Sequence, residues 1–356
     1  MGLLLICYII FLFVIWLFLS SAGLRSLLVK KPEERKKPNP KLKILLMVPC
    51  KGTDIELERN LKNATKQDYP NYKAIAIVES KADPALTAIK KSGIDYMIAD
   101  FKCEGSGKVR NLASAIRKFK DCDAYCILDS DVNAQKGWLS ALASGMDEKT
   151  GIVTAFPTFN PVDGGFWSKA KHIWGFVGFG LMENPETRFG WGGSLLFRKE
   201  LMKDGGFELF SSSVSDDVTL TKLCKARGLT LAYAPEAKPI VDCKENARSF
   251  IEWSNRQTAF SVLGDKRNLY VGLVYYAAGA LLLASAIILS IWYSYLFLIL
   301  LIPFLLFVAV SYRRSGQSDL SIIPICFLLE FVYLYNIVNS TFMDQVEWRG
   351  KTYRLR

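Results

Sequence analysis

Histidine is nearly missing from this chain: His172 is the only one in 356 residues. A metal site built from several imidazoles is therefore excluded. Eight cysteines are present but scattered. Cys122 and Cys126 lie four apart, and no second Cys/His pair completes a tetrahedral zinc site. Free thiols in a reducing compartment are the reading they support. There is no internal repeat and no low-complexity segment. No Lys or Arg precedes the first apolar run, so the basic n-region of a cleaved signal peptide is lacking. The glycine-rich turn Gly105-Ser106-Gly107-Lys108 has no Gly-Lys-Ser/Thr ending, so it is not a P-loop. Acidic residues are outnumbered, 34 Asp and Glu against 45 Lys and Arg, for a net charge of +11.

The basic excess is local. Its densest cluster is Lys30, Lys31, Arg35, Lys36, Lys37, Lys41 and Lys43, directly after the apolar run Leu3–Ala22. Charge in that place orients a membrane segment with its following side in the cytoplasm, and nucleic acid binding is set aside. Residues 1–25 read as an uncleaved anchor and 26–42 as a basic linker. An α/β domain follows over 43–245 and an amphipathic interface helix over 246–268. Residues 269–342 form a membrane region, with runs at Leu269–Leu289, Ile291–Val310 and Leu320–Phe342. A basic cytoplasmic tail, 343–356, ends the chain. A cytoplasmic domain and a cytoplasmic tail require an even number of crossings between them. The third run holds Pro324, Glu330, Asn336 and Asn339, and a charge in a span is costly. It is expected to be re-entrant or interfacial.

The middle alternates short apolar segments with amphipathic ones. Lys43–Val48, Lys73–Val78, Ile94–Ile98, Ala124–Leu128 and Gly151–Ala155 read as strands. Thr53 and Glu56 have capping-box spacing ahead of Leu57 and Leu61. Val109, Leu112, Ala115, Ile116 and Phe119 follow helical spacing. Strands alternating with helices predict a mostly parallel sheet that binds ligands at the carboxyl ends of its strands.

Asp129-Ser130-Asp131 follows the fourth strand, which puts both carboxylates on one side of the chain at a strand end. Close carboxylates call for a nearby positive charge. A divalent cation on a diphosphate supplies it, and oxygen-only ligands suit Mg²⁺ or Mn²⁺. A solvated turn accounts for Asp-x-Asp as well. Asp216-Asp217 follows Ser211–Ser215 and opens a helical pattern. Acids there are ordinary at a helix start, and one of them is also a candidate base for a hydroxyl acceptor. Gly105–Lys108 offers amides and a charge to an anion at a helix start, or is a plain turn. Gly192-Gly193-Ser194 allows close approach of a substrate, or is a tight turn. Phe250–Gln257 is amphipathic, and its Trp253 and Arg256 suit a lipid interface.

In order along nearly the whole chain, these residues resemble the ceramide glucosyltransferase family of inverting glycosyltransferases with a GT-A fold. Val48-Pro49-Cys50-Lys51-Gly52-Thr53-Asp54 is similar to its first strand and turn. Asp68-Tyr69-Pro70 with Tyr72, Asp83-Pro84-Ala85, and Lys108 with Asn111-Leu112 match further segments. Asp129-Ser130 resembles the family's metal-associated aspartate, and Gly193–Lys199 its acceptor-side strand. Trp348–Arg356 looks like its C-terminal tail. Two places depart from the family. Glu79 stands where the family has an aspartate after the second strand. Ser249-Phe250-Ile251-Glu252-Trp253 keeps the tryptophan of a Gln/Arg-x-x-Arg-Trp motif but not the arginine, for which Arg248 or Arg256 is a candidate substitute.

The resemblance implies an integral membrane enzyme, with its catalytic domain in the cytoplasm. Such an enzyme moves a sugar, with inversion and metal dependence, from a nucleotide-sugar, expected to be a UDP-sugar, onto a membrane lipid. Together with the reading of the residues it assigns Asp217 as catalytic base, Asp131 and Asp129 as metal ligands for Mg²⁺ or Mn²⁺, and Pro49, Glu79, Asp83, Lys108, Asn111 and Asp129 to the donor. Gly193, Asp216, Trp253 and Arg256 are assigned to the acceptor side. A polyprenyl-phosphate glycosyltransferase, a processive polysaccharide synthase and a non-catalytic homologue remain open.

Overall fold

The computed structural model describes residues 2–28, 41–316, 319–348 and 350–354. The Lys30–Pro40 linker, Ser318, Arg349, Leu355 and Arg356 lie outside the described residues. The elements run α1 (Gly2–Leu28), β1 (Ile44–Pro49), α2 (Leu57–Ala64), β2 (Tyr72–Val78), α3 (Ala85–Ser92) and β3 (Asp95–Ile98). Next come α4 (Gly107–Lys118), β4 (Ala124–Leu128), β5 (Val132–Asn133), α5 (Trp138–Ser144), β6 (Thr150–Thr154) and β7 (Thr158–Pro161). They continue with α6 (Phe166–Trp174), α7 (Phe176–Glu183), β8 (Ser194–Arg198), α8 (Gly206–Ser211), α9 (Asp216–Ala226), β9 (Thr230–Tyr233) and β10 (Ile240–Cys243). The last are α10 (Ala247–Gly264), α11 (Arg267–Trp292), α12 (Ile302–Ser315), α13 (Ile322–Ser340), β11 (Gln345–Trp348) and β12 (Lys351–Arg354).

The chain forms two compact units. The larger, α/β unit has a seven-stranded sheet in the order β3-β2-β1-β4-β8-β6-β9. Only β8 runs antiparallel to its neighbours, β4 and β6. The mostly parallel α/β sheet expected from the sequence is therefore what forms. Its central strands are apolar throughout because both faces are covered, and β1 and β4 are buried at every position. Alternate residues Leu45 and Met47 of β1, Ile75 and Ile77 of β2, and Tyr125 and Ile127 of β4 share one core cluster, as period-two geometry requires. Val109 and Leu112 of α4 and Leu220 of α9 join that cluster. A smaller sheet, β5-β10-β7, belongs to the same unit.

The Thr53/Glu56 capping box does not form. Glu56 adopts the left-handed conformation at φ 54° and makes no side-chain cap. The helix instead begins on a turn in which the Leu57 amide donates to the Asp54 carbonyl.

The second unit holds α1, α6, α10 and α11 to α13. Among the described residues four helical stretches are long and apolar enough to cross a membrane: Gly2–Leu28, Arg267–Trp292, Tyr295–Ser315 and Ile322–Ser340. The anchor and the three later runs expected from the sequence are all helical. Tyr8 and Ser285 hydroxyls meet at 2.6 Å, and the Trp16 ring N–H donates to the Ile299 carbonyl at 2.9 Å. The last turns of α1 and α12 lie together, with Arg313 donating to the Leu27 carbonyl and Arg314 to the Ser26 hydroxyl.

The third C-terminal run is helical over Ile322–Ser340, and Pro324 does not break its first turns. Pro324 falls in the first turn of α13, where a missing N–H breaks no intrahelical bond. Glu330 is accommodated against Gly279 of α11, where an added Cβ would lie 2.0 Å from its Oε1.

Candidate functional site

The site grows from the carboxyl edge of the large sheet. β1, β2 and β4 are parallel, so Pro49, Val78 and Leu128 end on the same edge. β8 runs the other way and pairs Ser194 with Leu128. Its start, Gly192-Gly193, therefore comes to that edge too, and the Asp129 amide donates to the Gly193 carbonyl at 3.2 Å. The Asp129–Asp131 turn is fastened through its middle residue. The Ser130 hydroxyl donates to Asp54 at 2.5 Å, and the Asn60 side chain donates to the Ser130 carbonyl at 3.1 Å.

The glycine-rich turn has a structural reason of its own. Ser106 caps α4 by accepting the Val109 amide at 3.3 Å. The Gly105 and Ser106 amides each donate at 3.0 Å, to the Ser211 and Ser213 carbonyls. A Cβ on Gly105 would stand 2.5 Å from the Ser211 oxygen, so no larger residue lets the two segments meet. This docking brings Lys108 of α4 to the start of α9.

There Lys108 gathers carboxylates. Its Nζ lies 2.8 Å from Asp129 Oδ1 and 3.1 Å from Asp216 Oδ2, and it donates to the Gly192 carbonyl at 3.1 Å. The Asp216 contact is an ion pair without hydrogen-bond geometry. Burial alone would lower the Lys108 ammonium, but the charges of Asp129, Asp216 and Asp217 outweigh it and hold it well above its usual range. Asp216 is pushed up to about 7 because burial opposes its charge, with Lys108 offsetting only part of that and the other two acids adding to it. Asp217 is half-buried, and its carboxylate accepts the Gly192 amide at 3.0 Å, the Val218 amide at 2.7 Å and the Ser215 hydroxyl. An added Cβ on Gly192 would stand 2.8 Å from Asp216, 2.9 Å from Lys108 and 3.1 Å from Asp217. Gly192 is thus small because three charged side chains close over it.

Removing the cation tests this cluster. Lys108→Met should destabilise the protein by about 3–5 kcal/mol at pH 8, the scale for leaving buried charge unpaired. The loss should be smaller at pH 5.5. At pH 5.5 Asp216 keeps its proton with or without Lys108, whereas above about 7 the wild-type carboxyl is ionised beside the cation and the variant's, raised further, must hold its proton or bury an unpaired charge, so the difference opens as pH rises through about 7. Thermal unfolding in detergent at the two pH values reads this, and an equal loss at both would contradict it.

The other expected donor residues divide. Pro49 is the buried last residue of β1. Asp83 accepts the Gly52 amide at 2.9 Å and the Ala85 amide at 3.0 Å, tying the turn after β1 to the start of α3. Asn111 is buried on α4. Its amide donates to the Ile77 carbonyl at 3.3 Å, and its Oδ1 has no hydrogen-bond partner. Glu79 follows β2 and meets Arg110 at 2.9 Å and Lys351 at 3.0 Å. Burial would raise its carboxyl, and these two cations outweigh burial and hold it below the ordinary range. Arg110 had no signal in the sequence beyond being basic, and Lys351 stood only within the stretch that resembles the family's C-terminal tail.

Trp253 and Arg256 sit on α10 in the other unit. The Trp253 ring packs edge-on to Trp174 at 4.8 Å, with the Lys171 ammonium 4.6 Å from its centre. Lys171 also pairs with Glu245 at 2.6 Å, both largely buried. Arg248 pairs with Glu252 on the exposed face of α10.

Among the described residues no group of three or more His, Cys, Asp or Glu side chains is disposed to hold a metal ion. Asp129 and Asp131 are carboxylates at the strand edge, one beside Lys108 and one half-buried. That oxygen-only pair fits a hard cation that takes one or two protein carboxylates and completes its shell with phosphate oxygens and water.

The chain is similar in structure to a mannosyltransferase from Pyrobaculum calidifontis, solved in complex with GDP-Man and Mn²⁺. The TM-score is 0.58 at 16% identity, over 95% of this chain and 98% of that one. A glucosyl-3-phosphoglycerate synthase from Mycobacterium tuberculosis, solved with Mn²⁺ and UDP-glucose, matches 63% of this chain and 79% of its own at 14% identity, with a TM-score of 0.42. The first likeness covers nearly all of the chain and supports a GT-A fold for its α/β unit. The family model for glycosyl transferase family 21 matches residues 6–356, and the chain belongs to that family of glycosyltransferases.

Proposed function

We propose that this glycosyltransferase moves a sugar from a nucleotide-sugar, a UDP-sugar in the first instance, onto a lipid alcohol at the membrane surface with inversion. The observation that carries the proposal is the meeting of Asp129, at the end of β4, with Asp216 and Asp217, at the start of α9, around Lys108 and Gly192. Asp217 takes the proton of the attacking hydroxyl. The Gly192 and Val218 amides and the Ser215 hydroxyl hold its carboxylate in one orientation. Lys108 keeps Asp216 and Asp129 in place by charge. Pro49, Glu79, Asp83 and Asn111 shape the donor side, and Gly193 on the acceptor side lets the Trp191 ring lie against the strand edge, where a Cβ would stand 2.2 Å from it. Trp253 and Arg256 serve the lipid side. Asp131 with Asp129 would hold Mg²⁺ or Mn²⁺, which neutralises charge on the leaving diphosphate.

Purified protein incubated with UDP-glucose, UDP-galactose, UDP-N-acetylglucosamine and GDP-mannose in turn, together with a total lipid extract, tests the assignment. A glycolipid of inverted anomeric configuration is the expected product, read by mass spectrometry and NMR. A retained configuration would refute the mechanism.

The membrane topology belongs to the same proposal. The chain leaves the α/β unit after Cys243 and returns to it at Asp344. The last turn of α12 lies against the last turn of α1, which leads into that unit. Only a short segment separates α12 from α13, so α13 starts near that end of the bundle and its chain returns to the unit. We read α11 and α12 as a crossing hairpin and α13 as making no net crossing, which keeps the α/β unit and the basic tail together on the cytoplasmic side. In sealed right-side-out vesicles of a cysteine-free background, Tyr293→Cys should label with an impermeant thiol reagent and Thr352→Cys should not. Labelling of position 352 from outside would show that α13 crosses.

A further inference from the structure

The end of the chain forms a structure that the basic composition of the tail does not announce. β11 and β12 make an antiparallel hairpin that turns at Gly350, where φ is +73°. Lys351 Nζ donates to both oxygens of Glu79, at 3.2 and 3.0 Å. The Tyr353 hydroxyl accepts the Gly107 amide at 3.3 Å. A Cβ on Gly107 would lie 2.3 Å from Glu79 Oε1, so the carboxylate rests directly against that residue. Arg110, on the same helix, closes on Oε1 at 2.9 Å. The Glu79 carboxylate is therefore wedged between the first turn of α4 and the hairpin, and gripped by two cations.

This arrangement has a physical use. A glutamate in place of aspartate carries one more methylene and one more free torsion, so its carboxylate is less well placed to accept hydrogen bonds from a bound nucleoside. Lys351 and Arg110 remove that freedom. We propose that Lys351, acting through Glu79, is a positioning residue for the donor pocket, and that the C-terminal hairpin is part of the machinery that binds the nucleotide. This rests on the reading of Glu79 as a donor-binding residue.

The test is a double-mutant cycle on nucleotide affinity in the full-length protein, with the tighter of UDP and GDP, in MnCl₂, as the calorimetric probe. Glu79→Gln should weaken binding, and Lys351→Met should weaken it by about tenfold, the scale of a lost charge-assisted hydrogen bond. Lys351→Arg should restore most of the loss. Lys351→Met should add almost nothing in the Glu79→Gln background, because its effect passes through that carboxylate. Tyr353→Phe, which removes only a hydroxyl, covers the case in which Lys351→Met does not fold, and it too should weaken binding. Weakening by Glu79→Gln without weakening by Lys351→Met, or by Tyr353→Phe where that variant stands in, overturns the role of the hairpin and leaves the donor reading standing. Additive effects of the two changes overturn it as well. No effect of Glu79→Gln, or no nucleotide binding by the wild type, overturns the donor reading and this proposal with it.

Discussion

Asp217→Asn should lower turnover by roughly 10²–10⁴-fold, the usual scale of a general base, while nucleotide affinity stays within a few-fold of wild type. The substitution keeps size and shape. Its oxygen can still accept the Val218 amide, which donates to Asp217 at 2.7 Å. What it loses is basicity, and the bond from the Gly192 amide, which would face an NH₂ group. Asp216 is a poor substitute for this role. It is 4% exposed and its charge is turned toward Lys108. Steady-state rates with saturating donor and acceptor decide the matter. An acceptor that arrives as a phosphate anion has no proton to lose. Turnover within a few-fold of wild type would therefore point to a phosphorylated polyprenol in place of a lipid alcohol.

Loss of Asp131 should be at least as severe. Asp131→Ala should reduce transfer by roughly 10³-fold or more, since metal charge stabilisation is worth several kcal/mol and each 1.36 kcal/mol is tenfold in rate. A chelator should reproduce the loss in the wild type, and added Mn²⁺ or Mg²⁺ should reverse it only there. Folding should survive. The turn is fastened by Ser130 to Asp54 and Asn60, and Val132 behind it is fully buried. Melting temperature and transfer rate measured together check both halves, and full activity in chelator would remove the metal assignment.

Much of this was legible in the residues. Buried on both faces, β1 and β4 had to be near-continuous apolar runs, so their place in the sequence was plain. Asp129 and Asp131 follow β4 directly, and Asp216-Asp217 directly precede the apolar spacing of α9. Local signals misled where tertiary packing overrode them. The Thr53/Glu56 spacing was that of a capping box, yet the chain enters α2 through a left-handed Glu56. Pro324 and the charge of Glu330 spoke against a regular membrane helix, yet Pro324 sits where no bond is lost and Glu330 lies against Gly279.

The sequence by itself determined the α/β class, the places of β1, β2, β3, β4 and β6 along the chain, the apolar helices at both ends and the acids at the strand edge. These depend on period and on neighbours in the chain. Only the tertiary structure decided which charges meet. β8 runs against β4, so Gly192 arrives beside Asp129, and the docking of Gly105 on the Ser211–Ser213 segment carries Lys108 to Asp216. The hairpin brings Lys351 to Glu79 across a separation of 272 residues. Contacts of that kind depend on strand direction and on space beside a glycine Cα, and neither leaves a periodic trace in the residues that make them.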